Sequence, residues 1–424
     1  MAQLSDDCFA FGGELMRLDE AVRRVRDNLV CVAAGETAAL TDAVGRVLAQ
    51  DVVSPMDVPP YANAAVDGYA VYHADLDLDR DTVLPVMGRA AAGHPLDRPA
   101  VRGAAVRIFT GAPMPAGPDT VLMQEDCRQT EGRVAIRPGI KKGANRRDAG
   151  EDIAAGSVIL SRGRLLRPQD VGLAASIGLT TLPVFARLRV AVFSTGDEVC
   201  EPGRPLPEGA LYDSNRHTLQ AALRQAGCVV TDLGILKDDF SEIRGALRRA
   251  VEAHDLLVTS GGMSTGEEDH VRAVLEEEGR VDFWRLAIKP GRPVGFGMVT
   301  APGGPVPVMG LPGNPVAALT TFLCIGRPVL AALGGASDVP PRRFAVRLGF
   351  AYSKKAGRRE FVRAVLERDG DGALVAGKYG RSGAGILSSL SGAEGFVELG
   401  EEDTILDPGT DVDFIPFSEF GLSR

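Results

Sequence analysis

The chain has 424 residues, 45% hydrophobic and 24% charged, too many for one hydrophobic core, so roughly two to four soluble globular domains are expected. A formal net charge of −9 argues against a nucleic-acid partner, and no run approaches the ~18 uninterrupted apolar residues of a membrane span. Six scattered cysteines and five histidines show no metal-ligand spacing, so any catalytic metal should be a hard cation held by oxygen.

The opening residues, MAQLSDDCFAFGGEL, carry acids where a signal peptide carries positive charge, and a cytoplasmic location is expected. Leu15, Leu18, Val22, Val25 and Leu29 have helical spacing. SPMDVPPYANAAVDG (54–68) is too rich in Pro, Asn and Gly for regular structure. YAVY, TVLPVMG, AAVRIFT, DTVLMQE and RVAIRPG then read as short strands separated by Gly and Pro. RPQDVGLAASIG (167–178) reads as a short helix. An economical organisation places a β-rich module at 53–151 inside a helical linker domain built from 1–52 and 152–186.

From 187 to 335 the character changes. LRVAVFST, CVVTDLGIL and HDLLVTS read as strands, each followed by a helical pattern: from Ser214 to Gly227, from Ser241, and through Val271, Val274 and Leu275. VDFWRLAI and VPVMG follow, then a helix with Asn314 as cap and Pro315 in its first turn. The alternation indicates a doubly wound parallel sheet. RRFAVRLGF, EFVRAVLE, GFVEL and DVDFIPF return to alternating strands, so 336–424 is expected as a separate C-terminal β domain of barrel-like form.

In open α/β sheets, ligands sit beyond the carboxyl ends of the strands. Three loops leave such ends: STGDE with Ser194, Thr195 and Gly196; TSGGMSTGEED with Ser260, Gly261, Gly262 and Ser264; and LPGNP with Pro312, Gly313 and Asn314. Backbone N–H groups and hydroxyls there have room to reach phosphate-like oxygens. None matches the Walker pattern and no G-x-G-x-x-G follows the first strand, which disfavours a P-loop NTPase and a standard dinucleotide site. Carboxylates follow all three strands: Asp197 and Glu198, Asp238 and Asp239, then Glu267, Glu268 and Asp269. A carboxylate ~4 Å from a phosphate oxygen costs ~4 kcal/mol at an effective dielectric of 20, and an intervening divalent cation reverses the sign. A metal–phosphate site is therefore expected, with RLAIKPGRPVGFG (285–297) supplying positive charge through Arg285, Lys289 and Arg292. The Arg pairs of GANRRDAGED (143–152) and GRREF (357–361) have no local tie to the sheet. Asp67 in AVDGYAV and Thr110 in IFTGAPMPAGPDTVL read locally as turn and loop residues.

Taken together, PYANAAVDGYAV, IFTGAPMPAGPDTVLMQED, GANRRDAGEDI, VAVFSTGDE, LYDSNRHTL, TSGGMSTGEEDH, FWRLAIKPGRPVGFG and LPGNPVAA resemble, in order, the molybdopterin molybdenumtransferase family, which includes the C-terminal domain of gephyrin. The resemblance covers nearly the whole chain. It implies a cytoplasmic enzyme that takes adenylylated molybdopterin and molybdate, inserts the metal at the dithiolene, and releases AMP with help from Mg²⁺. It implies a homodimer of four-domain subunits whose central α/β domain is molybdopterin-binding, and contact with the adenylylating partner enzyme. Family catalytic positions fall on Asp67, Thr110, Glu198, Asp238, Asp269, Lys289 and Arg358, with Asp238 and Asp269 holding Mg²⁺ and the β module of a neighbouring subunit closing the cleft. Arg285 stands where Lys is expected, which changes a compact ammonium to a planar fork. Ala384 stands where Ser is frequent, with Ser382 two residues away as a substitute; Val66 and Ala144 replace Met and Glu. The alternatives are a molybdopterin adenylyltransferase, which shares the sheet domain, and a non-catalytic gephyrin-like scaffold.

Overall fold

The computed structural model describes residues 15–261, 270–337 and 339–422. Helix α1 (Leu18–Asn28) is followed by strands β1 (Gly35–Ala39) and β2 (Val52–Val53). An inserted module runs through β3 (Asn63–Ala64), β4 (Gly68–Val71), β5 (Thr82–Ala90), β6 (Ala105–Ile108), β7 (Thr120–Met123), β8 (Cys127–Thr130), β9 (Arg133–Ile136) and β10 (Arg146–Arg147). The chain returns with β11 (Val158–Leu160), helix α2 (Pro168–Ser176) and β12 (Thr181–Phe185). β1 pairs antiparallel with β12 and β2 with β11, so the chain closes on itself across the insert. Ala38, Leu48 and Val52 accordingly share one buried cluster with Ile153, Leu160, Leu166 and Val184. This closing segment, expected to be helical, is held by two strand pairs, with α2 packed against them. Within the insert, six strands form one sheet in the order β7-β4-β6-β5-β9-β8, while β10 pairs with β3.

The sheet region contains β13 (Arg189–Thr195), β14 (Val199–Cys200), β15 (Leu211–Tyr212), α3 (Asn215–Gln225), β16 (Val229–Leu236), α4 (Phe240–Val251), β17 (Leu256–Ser260), α5 (His270–Glu278), β18 (Gly279–Arg285), β19 (Ile288–Lys289), β20 (Pro293–Val299), β21 (Val306–Leu311), α6 (Pro315–Thr321) and α7 (Arg327–Gly334). A π-helical turn, Phe322–Gly326, joins α6 to α7. This long apolar helix is mostly buried inside the protein, as a core helix should be.

The sheet order is β16-β13-β17-β21-β20-β18. The first four strands run parallel, whereas β20 and β18 run antiparallel to their neighbours. A parallel pair needs a crossover of about a dozen residues or more, and the links into and out of β20 are too short for one. The sheet is therefore mixed at one edge, a correction to the all-parallel expectation. β13 is buried on both faces: Val190 and Val192 join a cluster with Leu219, Val316, Leu323 and Leu330, while Ala191 and Phe193 face Ile243, Leu247, Val271 and Leu275. Helices thus cover both sides, which explains the near-continuous apolar run in this strand. α1 packs through Leu18, Ala21 and Val25 into the first of these clusters, not into the cluster of the strand pairs that follow it in sequence.

The C-terminal region comprises β22 (Phe344–Leu348), β23 (Tyr352–Ser353), β24 (Arg359–Arg368), β25 (Leu374–Lys378), the short α8 (Ser388–Ser391), β26 (Gly395–Leu399), β27 (Ile405–Leu406) and β28 (Asp411–Pro416). Five of these strands close a barrel in the order β24-β25-β22-β28-β26 and back to β24. β19, which belongs in sequence to the sheet region, pairs in parallel with β24 through Ile288↔Arg359 and Lys289↔Glu360.

Candidate functional site

The chain crosses from one side of β13 to the other between β16 and β17, which opens a crevice at the carboxyl ends of these strands. The barrel stands over that crevice, and the cleft between them has a volume of about 1700 Å³. The end of β13 contributes Ser194 and Thr195, the loop after it Glu198, and the end of β17 Ser260 and Gly261. Pro312, Gly313 and Asn314 follow β21 into the same space. Arg285, Lys289 and Arg292 come from the turn between β18 and β20, while Arg358 and Ser382 reach in from the barrel. Gly196 and Asp238 do not line this cleft. Gly262, Ser264, Glu267, Glu268 and Asp269 lie outside the described residues.

The first two loops approach closely. Gly261 has φ +95°, and a Cβ there would stand 3.0 Å from the Thr195 carbonyl oxygen, so glycine is needed for both reasons. The Ser194 and Thr195 hydroxyls are buried and have no hydrogen-bond partner among the described residues. Unpaired buried hydroxyls are costly, and both residues line the cleft. Asn215, at the start of α3, donates its side-chain amide to Ser260 Oγ and to the Gly313 carbonyl, both at 2.7 Å, and so ties the second loop to the third. Asn314 occupies the cap position of α6 but its side chain makes no capping bond. The Val316 N–H instead donates to Ala384 O at 2.9 Å, which docks the barrel loop onto the helix start.

Acids divide into different roles. Asp239 caps α4, accepting the Glu242 N–H at 2.9 Å, so its place after the second strand has a local structural reason. Asp213, which lines the cleft, binds the buried Arg216 at 2.9 Å, and Arg216 is 2.5 Å from Asp232. Among the described residues no group of three His, Cys, Asp or Glu side chains gathers as a metal cage.

The barrel adds cations absent from the expected set. Lys378 lines the cleft with its ammonium 5.6 Å from the Tyr352 ring centre. Arg363 also lines it, 7% exposed, and donates to Ser389 Oγ at 3.0 Å and to the Arg381 and Gly383 carbonyls, both at 3.2 Å. Burial lowers its pKa, because the guanidinium is held by neutral acceptors. The alternation of EFVRAVLE marked this strand, but only barrel closure aims Arg363 at the cleft. Lys354 is different: its ammonium is spent on the Gly400, Glu401 and Asp403 carbonyls.

Asp67 and Thr110 do not line the cleft. They meet on the inserted module, where Thr110 donates its N–H and its hydroxyl to Asp67 Oδ1 at 2.8 and 2.7 Å. These two bonds, the backbone one first, hold the Asp67 carboxyl below its ordinary pKa. Arg107 lies beside them, its guanidinium 4.6 Å from the Phe109 ring centre, and Arg89 lies 4.5 Å from the same ring. The Arg146–Arg147 strand joins this corner by pairing with Asn63 and Ala64. The PYANAAVDG, IFTGAP and GANRRD segments thus converge in space on a second, separate surface.

Comparisons with known proteins cover these regions in order. Residues 16–178 match the model described as "MoeA N-terminal region (domain I and II)", 191–332 that of a "probable molybdopterin binding domain", and 345–417 "MoeA C-terminal region (domain IV)". A molybdopterin molybdenumtransferase of Haemophilus influenzae is 37% identical over 406 residues, spanning 95% of this chain and 99% of that protein. Molybdopterin molybdenumtransferase 2 of Mycobacterium tuberculosis is 36% identical over 93% of this chain and 98% of its own. A solved molybdopterin biosynthesis moeA protein from Pyrococcus horikoshii OT3 superposes with TM-score 0.81 at 28% identity, covering 95% of this chain and all of that one.

Proposed function

Because the chain belongs to the molybdopterin molybdenumtransferase family, we propose that its cleft binds adenylylated molybdopterin and molybdate, joins the metal to the dithiolene and releases AMP. The observation that carries this assignment to the cleft is the pair of buried, unpartnered hydroxyls of Ser194 and Thr195 beside the close-packed Gly261. These groups, with Ser260 and the Pro312–Asn314 loop, bind phosphate oxygens of the adenylylated substrate. Lys289, Arg285 and Arg358 offset negative charge on the oxyanion and on the leaving phosphate, the role fixed cations serve best inside a water-poor cleft. Ser382 stands in for the hydroxyl that Ala384 lacks. Glu198 stands at the cleft as a carboxylate near the phosphate path.

Mg²⁺ is proposed as cofactor with Asp238 and Asp269 as its ligands, although Asp238 does not line the described cleft and Asp269 lies outside the described residues; carboxylate oxygens are its preferred ligands, and it would neutralise charge on the pyrophosphate link. The steps assigned to the cleft residues stand on their own donors. We further propose a homodimer, because the Asp67–Thr110 corner, with family catalytic positions, lies on a surface separate from the cleft of the same chain. A neighbouring subunit's module would bring that corner to the cleft. The domain division 1–52 with 152–186, 53–151, 187–335 and 336–424, a cytoplasmic location and contact with the adenylyltransferase complete the reading. The coverage of both ends of the relatives favours this enzyme over the adenylyltransferase and scaffold alternatives.

The test is direct. Purified protein given adenylylated molybdopterin and Mg²⁺ should release AMP only when molybdate is added. Synthesis of the adenylylated pterin from ATP and molybdopterin, without molybdate-dependent AMP release, would overturn the assignment.

A further inference from the structure

Lys289 stands where the sheet region and the barrel are joined. Ile288 and Lys289 pair in parallel with Arg359 and Glu360, and the Arg359 N–H donates to the Ala287 carbonyl at 2.8 Å. The side chains repeat the connection: Lys289 Nζ lies 3.2 and 3.1 Å from the two carboxylate oxygens of Glu360. The pair is asymmetric in burial, with the Lys289 side chain 55% exposed and that of Glu360 only 4%. Tyr352 donates its hydroxyl to Glu360 Oε2 at 2.9 Å. Burial, then the bond to Glu360 and its charge, pushes the Tyr352 phenol up in pKa, which keeps it a neutral donor.

A buried carboxylate must be compensated, and Lys289 and Tyr352 are the groups that do so. An ammonium has three donors, so one held by a carboxylate on the barrel side still presents a donor to the cleft. An untethered lysine would instead have to surrender its rotamer freedom when a ligand arrived. We propose that Glu360 is the positioning residue of Lys289: its buried carboxylate, steadied by Tyr352, fixes where the Lys289 ammonium stands and aims it at an anionic group in the cleft. The inference rests on the functional reading above, in which Lys289 meets the oxyanion or the leaving phosphate.

The test compares E360Q, E360D, Y352F, K289A and the double variant E360Q/K289A in full-length protein, reading molybdate-dependent AMP release against molybdate concentration and the thermal midpoint of each. E360Q should raise the apparent KM for molybdate about tenfold with a smaller change in kcat, and Y352F should move it a few-fold the same way. E360D should recover part of the loss. In the K289A background E360Q should add almost nothing, the signature of a residue that acts through Lys289. Equal losses from E360Q in both backgrounds would overturn the proposal while leaving the reading of Lys289 intact. Wild-type kinetics in K289A would overturn that reading of Lys289 and this proposal with it. If E360Q fails to fold, Y352F and Y352F/K289A decide by the same comparison.

Discussion

Thr110 gives two hydrogen bonds to a single oxygen of Asp67, one from its backbone at 2.8 Å and one from its hydroxyl at 2.7 Å. The carboxylate is thereby fixed in its charged form on an accessible surface of the inserted module. Replacing Thr110 by Val keeps the shape and the backbone bond but removes the hydroxyl. The Asp67 carboxyl should then titrate at higher pH than in the wild type, measurable by carbonyl NMR. Molybdenum insertion should fall roughly tenfold.

The Ser194 and Thr195 hydroxyls have no partner to lose among the described residues. Ser194→Ala and Thr195→Val should therefore leave the thermal midpoint unchanged or raise it slightly, since each removes a buried polar group that costs about 1 kcal/mol or more unpaired. Affinity for the adenylylated substrate, read by calorimetry, should weaken about tenfold for each. A clear drop in stability would mean that the hydroxyls serve the fold instead.

Gly291 has φ +110°, and a Cβ there would stand 2.2 Å from Thr321 Oγ1 and 3.1 Å from the Ala317 carbonyl. Gly291→Ala should cost about 1–3 kcal/mol in backbone strain before the clash with α6 is counted. Because the turn it shapes carries Lys289, activity should fall in the fraction of protein that remains folded, as measured by activity normalised to folded protein.

Asp170, in the first turn of α2, is held by Arg164 and Arg167 of the segment that leads into the helix. Burial opposes its ionisation, but hydrogen bonds from Arg164 and Arg167 prevail and bring its pKa down to about 2. A depressed carboxylate stabilises above its unfolded value and is lost as pH falls through the folded one. Its contribution, on the order of 2 kcal/mol, should be complete above about pH 4 and vanish between about pH 4 and 2. Asp170→Asn should remove that slope from a plot of unfolding free energy against pH.

Much of the fold was legible because local signals agreed with tertiary demands. The apolar run of β13 required cover on both faces, and α3 and α4 supply it. Gly227 stops α3 in a left-handed conformation with φ +87°. Of the three glycine-bearing stretches, Ser194, Thr195 and Glu198, Ser260 and Gly261, and Pro312 to Asn314 line one cleft. What stayed hidden depends on contacts between distant parts. Glu360 reads as an ordinary exposed acid of an alternating strand until β19 pairs beside it and buries it. Arg363 became a cleft residue only through barrel closure. The antiparallel edge of the sheet escaped a period-based reading, since strand direction is set by connection length. Asp239 follows β16 beside Asp238, yet its place is that of a helix cap. Asp67 and Thr110 gave no local sign of importance; their proximity is a property of the folded module.

The parallel pairing of β19 with β24 also constrains motion. A hinge that widened the cleft by swinging the barrel from the sheet would have to break the Ile288–Lys289 ladder, the Arg359 N–H bond to Ala287, and the Lys289–Glu360 ion pair together. Two further ties, from Ala384 to α6 and from Arg359 to Asp19 at 2.9 Å on α1, resist the same movement. The wall carrying the cations is thus stitched to the wall carrying the hydroxyls by main chain as well as side chain. The two jaws of this vise are already clamped together by contacts within the chain itself.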